Sequence, residues 1–357
     1  MVSMRLKIGF RVEGDAEIGI GHVVRCLSLA KTLTHHGHSV VFFCASSLAT
    51  RLVEESGFRV VNLKPPSLHF EENGLKDEVH KFFLSILSNL DLDILVVDMY
   101  EVDVEWFSSV RPYPKKLVYV DGLNKEKYPV DIIINGNVHA ERMGYVTNQG
   151  QQLLIGPKYN LLSPEFRMVG EKAIRASIKN ILITTGGADR CHVSEHIVSL
   201  LACSIVPNDA VVNVVVGPAF QETSNLENLA KEYAKIVLHK GKSNLKDLMM
   251  DADVAISAGG STMYELCACG TPTIAFVYAD NQLMLVSELE RLGCVISLGW
   301  YRDINHESLA NAFGQLNSAT IRKNVSRKMQ SVVDGRGTER ICRHFEKALG
   351  LTYGSNP

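Results

Sequence analysis

No stretch of about 18 consecutive apolar residues runs through this chain, so nothing in it has the length that a membrane-spanning helix needs. Runs of Lys and Arg are missing as well. With a formal net charge of -2, the sequence lacks the basic footprint that nucleic acid or an anionic lipid surface would call for. Paired cysteines at metal-ligand spacing are also wanting. The eight cysteines are scattered, and Cys26, Cys44, Cys203, Cys267, Cys269 and Cys294 sit inside apolar stretches, as small core residues do and as a disulfide framework does not. Residues Met1-Val2-Ser3-Met4-Arg5 run straight into a short apolar strand pattern. The expectation is a soluble, unexported protein of a reducing cytoplasm that binds a small molecule, with neither nucleic acid nor membrane as partner. Its oligomeric state stays open, and a monomer is compatible with the sequence.

What is present is a strict alternation. At 357 residues the chain exceeds one ordinary domain of about 100 to 200 residues. Short β-branched runs (Leu6 to Phe10, Ser39 to Cys44, Val60 to Leu63, Ile94 to Val97, Leu117 to Val120, Ile132 to Ile134, Leu153 to Ile155) are separated by amphipathic segments, among them a helix from about His22 and a long one from about Glu71. Such alternation builds a parallel sheet with crossover helices. The pattern weakens between Gly156 and Lys179 and then resumes with Ile181 to Thr184, Ala210 to Val216, Ile236 to Leu238, Val254 to Ser257, Thr273 to Val277 and Val295 to Leu298. From about His306 only helical periodicity remains, ending in Thr338 to Leu349 and a polar tail. The predicted class is α/β, with two Rossmann-like domains facing each other across a cleft: residues 1–160, a linker over 161–178, and 179–349 carrying the terminal helices, which can pack on either domain.

In open α/β sheets ligands bind outside the carboxyl ends of the strands, so residues just after each strand are candidates. After the first strand comes Asp15-Ala16-Glu17-Ile18-Gly19-Ile20-Gly21-His22-Val23-Val24-Arg25, a glycine-rich turn opening a helix. Glycines admit a ligand close to the backbone, and helix-start N–H groups favour an anion. The dinucleotide fingerprint fails because Val24 stands where its third Gly belongs, so NAD is disfavoured; no cofactor is expected. His22 can accept a proton from water, or simply pack at a helix start. Arg25 is a phosphate clamp or a solvated side chain. Asp98-Met99-Tyr100 follows the Ile94 strand and puts a carboxylate and a phenol at the same edge, although a loop Asp can also cap the next helix. Asp121-Gly122 and Asn135-Gly136-Asn137 also follow strands and need be no more than turns.

In the second half, Thr184-Thr185-Gly186-Gly187-Ala188-Asp189 repeats the strand, glycine turn, helix order. Ser257-Ala258-Gly259-Gly260-Ser261-Thr262-Met263-Tyr264-Glu265 makes a stronger case, with two glycines and two hydroxyls at a helix start, an arrangement that cradles a diphosphate. Glu265 can accept from ribose hydroxyls, or serve as a first-turn carboxylate in a capping box. Tyr278-Ala279-Asp280-Asn281-Gln282 follows another strand, and its amides can reach a sugar hydroxyl.

Three look-alikes fall to their position. His35, His36 and His38 flank Gly37 at a helix C-terminus on the far edge of the sheet, where histidines complement the dipole. Asp91-Leu92-Asp93 and Asp251-Ala252-Asp253 precede their strands. Cys267-Ala268-Cys269 lacks the second ligand pair that zinc requires. No metal is expected.

Taken in order, Phe10-Arg11, Gly19-Ile20-Gly21-His22 with Arg25, Asp98-Met99-Tyr100, Ile155-Gly156-Pro157-Lys158-Tyr159, Thr185-Gly186-Gly187-Ala188-Asp189, Ser257-Ala258-Gly259-Gly260-Ser261-Thr262 and Asp280-Asn281-Gln282 resemble one family from about Leu6 to Gly299. That family is the UDP-2,4-diacetamido-2,4,6-trideoxy-β-L-altropyranose hydrolases of pseudaminic acid biosynthesis, which are similar to GT-B glycosyltransferases such as the peptidoglycan N-acetylglucosaminyltransferase. The resemblance implies a UDP-sugar substrate and a GT-B-like fold. It implies His22 as the base that activates water, with Tyr100 and Tyr264 lining a sugar pocket. Gly259, Gly260, Ser261 and Thr262 would hold the diphosphate, Glu265 the ribose, and Asn281 and Gln282 the sugar side. Asp15, Gly21, Arg25, Asp98, Gly186 and Gly187 complete the expected substrate-binding set. The implied reaction is metal-independent attack of water at the anomeric carbon. The alternatives are a glycosyltransferase using the same donor, and a non-catalytic nucleotide-sugar-binding protein such as a sensor or a spore-coat-type polysaccharide accessory protein.

Overall fold

The computed structural model describes residues 5–351 except 16–18, 65–71, 190, 203, 204, 206, 208 and 242–244, with backbone alone over 72–75. Cys203, the helix start at Glu71, the Ala16-Glu17-Ile18 part of the first glycine-rich turn, residues 1–4 and the tail over 352–357 therefore lie outside the described residues.

The chain runs β1 (Lys7–Val12), α1 (Gly21–His35), β2 (Ser39–Cys44), α2 (Ser47–Glu55), β3 (Arg59–Asn62), α3 (Glu72–Leu87), β4 (Ile94–Asp98), α4 (Val104–Val110), β5 (Lys116–Val120), β6 (Ile132–Asn135) and β7 (Gln152–Ile155). It continues through β8 (Asn180–Thr184), α5 (Val193–Ala202), β9 (Val211–Val216), α6 (Ser224–Glu232), β10 (Ile236–Lys240), α7 (Lys246–Asp251), β11 (Val254–Ala258), α8 (Thr262–Cys269), β12 (Thr273–Val277), α9 (Leu283–Arg291), β13 (Val295–Trp300), α10 (His306–Gln315), α11 (Ala319–Val332) and α12 (Gly337–Ala348). Among the described residues no helix is long and apolar enough to cross a membrane.

Two sheets result, ordered β3-β2-β1-β4-β5-β6-β7 and β10-β9-β8-β11-β12-β13. Every pairing in both is parallel. A parallel sheet needs cover on both faces, and the strand period of two supplies it. Ile8, Phe10 and Val12 of β1 and Ile94 and Val96 of β4 pack on the α1 side. Leu95 and Val97 of β4 point to the opposite face, into a cluster with Phe83 of α3 and Phe107 of α4. In the second sheet Ile181, Ile183, Ile256 and Ile274 join Ile197 of α5 and Phe313 of α10. Helix α1 forms because His22, Val23, Cys26, Leu27, Ala30 and Leu33 recur on one buried stripe, and it stops before Gly37, whose φ of 87° no β-branched residue would adopt comfortably.

Contacts divide the chain into two units, one made of the residues up to Pro164 together with those from Arg336 on, the other of Glu165–Gly335. This departs from the expected boundaries at both ends. The last helix belongs to the first unit: Ile341, Cys342 and Phe345 of α12 complete the core over α1, and Thr32 Oγ1 donates to Thr338 Oγ1 at 2.9 Å. Most of the expected linker docks on the second unit instead of bridging freely. The buried Lys172 ammonium donates to the Met249 and Met250 carbonyls, both at 2.8 Å, and the guanidinium of the fully buried Arg322 holds the carbonyls of Arg175 and Ala176. Lys172 thus satisfies carbonyls at the end of α7 and Arg322 those of irregular backbone, which apolar periodicity does not reveal.

Candidate active site

In the first unit the strand order reverses direction between β1 and β4, the switch point outside whose carboxyl ends ligands bind. Val12 closes β1 directly opposite Asp98, which closes β4. Beyond β1 the chain folds back so that Gly19 N donates to Asp15 O at 3.0 Å, and Gly19 adopts a φ of 84°. The start of this turn is tied to the β2 side. Glu13 accepts from Ala45 N at 2.8 Å and Ser46 N at 2.9 Å, and the buried Arg11 donates to Glu13 and to the Phe43 carbonyl. Gly21 then opens α1.

His22, the second residue of α1, is 5% exposed, and its buried Nδ1 has no hydrogen-bond partner among the described residues. The Tyr100 ring meets it edge-on, centroids 4.4 Å apart. Burial lowers the imidazole pKa to about 4, with Asp98 working against that shift and Arg25 adding to it. The result is a neutral imidazole at pH 7, the protonation state of a base.

One helical turn on, Arg25 donates through Nε to Asp98 Oδ2 at 2.6 Å and through Nη2 to Oδ1 at 2.5 Å, and the Cys26 thiol adds a donor at 3.4 Å. Burial alone would raise the Asp98 carboxyl; Arg25, followed by His22, outweighs it and holds the group below its ordinary value. Two expectations change here. Asp98 was expected among the substrate-binding groups and Arg25 as either a phosphate clamp or a solvated side chain; in the structure each is the other's partner, because a carboxylate only 1% exposed needs a fixed cation. The helix-capping role open to Asp98 belongs to Asp103, which accepts from Trp106 N.

The second unit repeats the geometry at its own switch point, between β8 and β11, where Thr184 pairs with Ser257. After β8, Gly186 takes a φ of 91° with open space beside it. Gly217, directly after β9, shapes this turn: a Cβ there would lie 2.4 Å from Gly186 O and 2.5 Å from Gly187 O. The sequence reading passed over Gly217, and the only signal was a Gly-Pro pair following a strand. Asp189 caps α5, accepting from Val193 N and Ser194 N, both at 2.9 Å.

After β11 the two glycines differ. A Cβ on Gly259 would strike Val286 at 2.4 Å, so this residue lets α9 approach; at Gly260 a Cβ would meet nothing within 4 Å. Ser261 is exposed, and Thr262 and Glu265 are half-buried at the head of α8, where Met263 N donates to Gly260 O at 3.1 Å and Tyr264 N to Ser261 O at 3.0 Å. Burial, with Glu165 adding, raises the Glu265 carboxyl to about 7. Tyr264 was expected to line a sugar pocket but is 2% exposed, on the inward stripe with Met263 and Cys267. Gln282 is likewise turned in and accepts from Tyr278 N at 3.1 Å, holding its loop, whereas Asn281 is exposed.

The second-tier motifs are turn chemistry: Asp121 accepts from Leu123 N and Asn124 N, and Asn135 from Asn137 N. Both Asp-x-Asp pairs knit strand starts, Asp93 accepting from Lys7 N and Asp253 from Lys179 N and Asn180 N. Among the described residues, one group of His, Cys and carboxylate side chains converges closely enough for a metal ion, namely His36, Cys342 and Glu346.

No known protein-family profile matches the chain. It is 32% identical over 296 residues to an uncharacterized protein of Methanocaldococcus jannaschii, a match covering 78% of this chain and 56% of that relative, little more than half its length. It is 24% identical over 343 residues to the spore coat polysaccharide biosynthesis protein SpsG of Bacillus subtilis, covering 94% of this chain and 96% of that one. To the UDP-2,4-diacetamido-2,4,6-trideoxy-β-L-altropyranose hydrolase of Campylobacter jejuni it is 25% identical over 292 residues, 81% of this chain and 97% of the hydrolase. The resemblance drawn from the motifs therefore extends along most of the chain at modest identity. In structure the chain is similar to MurG of Acinetobacter baumannii, with a TM-score of 0.72 at 13% identity over 96% of this chain and 99% of that one. The calicheamicin glycosyltransferase CalG4 matches with a TM-score of 0.65 at 15% identity over 98% and 100%. The chain has the two-domain Rossmann-like α/β fold of GT-B proteins.

Proposed function

We propose that this chain is an enzyme acting on a UDP-sugar, and that it hydrolyses UDP-2,4-diacetamido-2,4,6-trideoxy-β-L-altropyranose by attack of water on the anomeric carbon. The observation that carries this reading is His22: a nine-tenths buried, neutral imidazole with an unpartnered Nδ1, placed just after β1 at the switch point of its sheet. A base of that kind takes the proton of a water molecule as its oxygen bonds to C1. The bond from C1 to the β-phosphate oxygen breaks, its electron pair leaves with UDP, and direct attack inverts C1.

The sugar identity rests on the named hydrolase among the relatives. Tyr100 forms part of the sugar wall, and Asn281 reaches the sugar side. Gly186, Gly187, Gly260, Ser261 and Thr262 meet the diphosphate, whose growing charge the backbone N–H groups at the head of α8 stabilise, and Glu265 accepts from the ribose. Arg25 and Asp98 act by fixing each other and the field around His22, while Gly259, Tyr264 and Gln282 support the nucleotide turn from within. Glycosyl transfer from the same donor is the second reading, because His22 deprotonates an acceptor hydroxyl by the same chemistry and the fold is shared with transferases.

The test is UDP release from the altropyranose nucleotide, with UDP-N-acetylglucosamine as control, in EDTA and with His22→Ala in parallel. Release from the first nucleotide alone, insensitive to EDTA and reduced at least about a hundredfold in the variant, is expected. UDP binding without release from either nucleotide overturns hydrolysis in favour of transfer or of binding alone.

A further inference from the structure

The buried end of α12 carries chemistry that the proposed reaction does not use. Cys342 and Glu346 stand one turn apart on one face of α12, and the C-terminal end of α1 brings His36 against them. His36 Nδ1 lies 3.2 Å and Cys342 Sγ 3.7 Å from Glu346 Oε1, and the three ligand atoms fall within 4.8 Å of one another. Tetrahedral zinc, with bonds of about 2.0 to 2.2 Å to N and O and about 2.3 Å to S, sets N and O ligands roughly 3.4 Å apart and S and O ligands roughly 3.6 Å apart. The two spacings to Glu346 are close to those values, and the His36–Cys342 separation, within 4.8 Å, would have to shorten to about 3.6 Å on binding.

A fourth group sorts itself out by tautomer. Leu6 N donates to His38 Nδ1 at 3.4 Å, so His38 carries its proton on Nε2 and donates it to Glu346 Oε1 at 3.1 Å. His38 therefore orients the carboxylate, as the outer partners of metal ligands do. Glu346 and Cys342 are buried, while His36 is partly exposed, so the cluster meets solvent through His36.

We propose that His36, Cys342 and Glu346 bind a single zinc-class divalent ion, with water as the fourth ligand, which pins α12 to α1. A thiolate, imidazole and carboxylate set suits zinc and disfavours magnesium or calcium. The Cys342 thiol donates to Glu346 Oε1, so metal entry breaks the S–H bond and forms the metal–sulfur bond. One proton passes to solvent with no change in oxidation state. The site lies about 20 Å along α1 from His22, at 1.5 Å per residue, so the ion is structural and its removal is separable from the chemistry at His22.

The experiment is cobalt(II) titration of the full-length protein after EDTA treatment, followed by visible and near-ultraviolet absorption. One equivalent should produce tetrahedral ligand-field bands and a thiolate-to-cobalt charge-transfer band, both displaced by zinc, with a rise in melting temperature. The charge-transfer band should vanish in Cys342→Ser and persist in Cys191→Ser, the exposed cysteine. His38→Ala, should it fold, should weaken zinc binding about tenfold or more. Absence of a saturable thiolate band in the wild-type protein, or its survival in Cys342→Ser, overturns the site and leaves a hydrogen-bonded cluster.

Discussion

Arg25 and Asp98, 73 residues apart in sequence, meet as a two-pronged ion pair, with Nε and Nη2 of the guanidinium facing the two carboxylate oxygens at 2.6 and 2.5 Å. The Asp98 side chain is 1% exposed and that of Arg25 24%, so the pair closes the end of β4 against α1 mostly out of water. A charge left without its partner there is costly.

Asp98→Ala should destabilise the protein by about 3 kcal/mol in urea unfolding, since it strands the guanidinium. Combining Arg25→Met with Asp98→Leu should recover most of that loss, because neither charge then remains to be solvated. A double variant no more stable than Asp98→Ala would show that the pair does more than neutralise itself.

His22 carries a pH signature. Its pKa is about 4 in the folded protein and near 6.5 in the unfolded chain, so the unfolded state binds the proton first as the medium turns acid. The stability tied to neutral His22 is complete above pH 6.5 and is lost as pH falls to about 4, a change of roughly 3 kcal/mol. His22→Gln should flatten this part of the profile. Parallel curves for variant and wild type between pH 6.5 and 4 would contradict the burial of a neutral imidazole.

The glycines separate packing from ligand approach. Gly217→Ala should lower both stability and UDP affinity, because its Cβ would collide with the carbonyls of Gly186 and Gly187. Gly260→Ala should leave the melting temperature unchanged, since its Cβ meets nothing within 4 Å among the described residues, and should weaken UDP binding if the proposed diphosphate site is right. Calorimetric titration with UDP beside thermal melts distinguishes them, and equal effects on both quantities in both variants would refute the distinction.

Glu265 ties nucleotide affinity to pH. In the proposed role of acceptor for ribose hydroxyls it would serve best ionised, and its pKa is raised to about 7, so UDP affinity should climb as pH rises through 7. Glu265→Gln should bind about tenfold more weakly at pH 8 with a flat profile. A pH-dependent Glu265→Gln would assign the titration to another group.

The fold was largely legible because the alternation of β-branched runs and amphipathic stripes is a local property. The Ser39–Cys44 and Thr273–Val277 strands match residue for residue, and most of the others differ by one or two residues at their ends. The place of α12 was not legible: its stripe of Ile341, Cys342 and Phe345 announces a buried face without saying which core accepts it. The strand-end rule singled out His22, Gly260 and Glu265 as candidates, since position after a strand is written in the sequence. It did not disclose that Asp98 is matched by Arg25, that Gly217 underlies the Gly186 turn, or that Tyr264 and Gln282 point inward. Those facts depend on which residues meet across the sheet and on helix phase, and neighbouring residues do not encode the first.

The most direct test of the central claim is hydrolysis of the altropyranose nucleotide in water carrying the heavy oxygen isotope, with both products weighed by mass spectrometry. Attack at the anomeric carbon by water that His22 deprotonates predicts the label on the C1 hydroxyl of the released sugar and none in UDP, with the reaction lost in His22→Ala. Label in the β-phosphate of UDP would mean attack at phosphorus and would contradict the account.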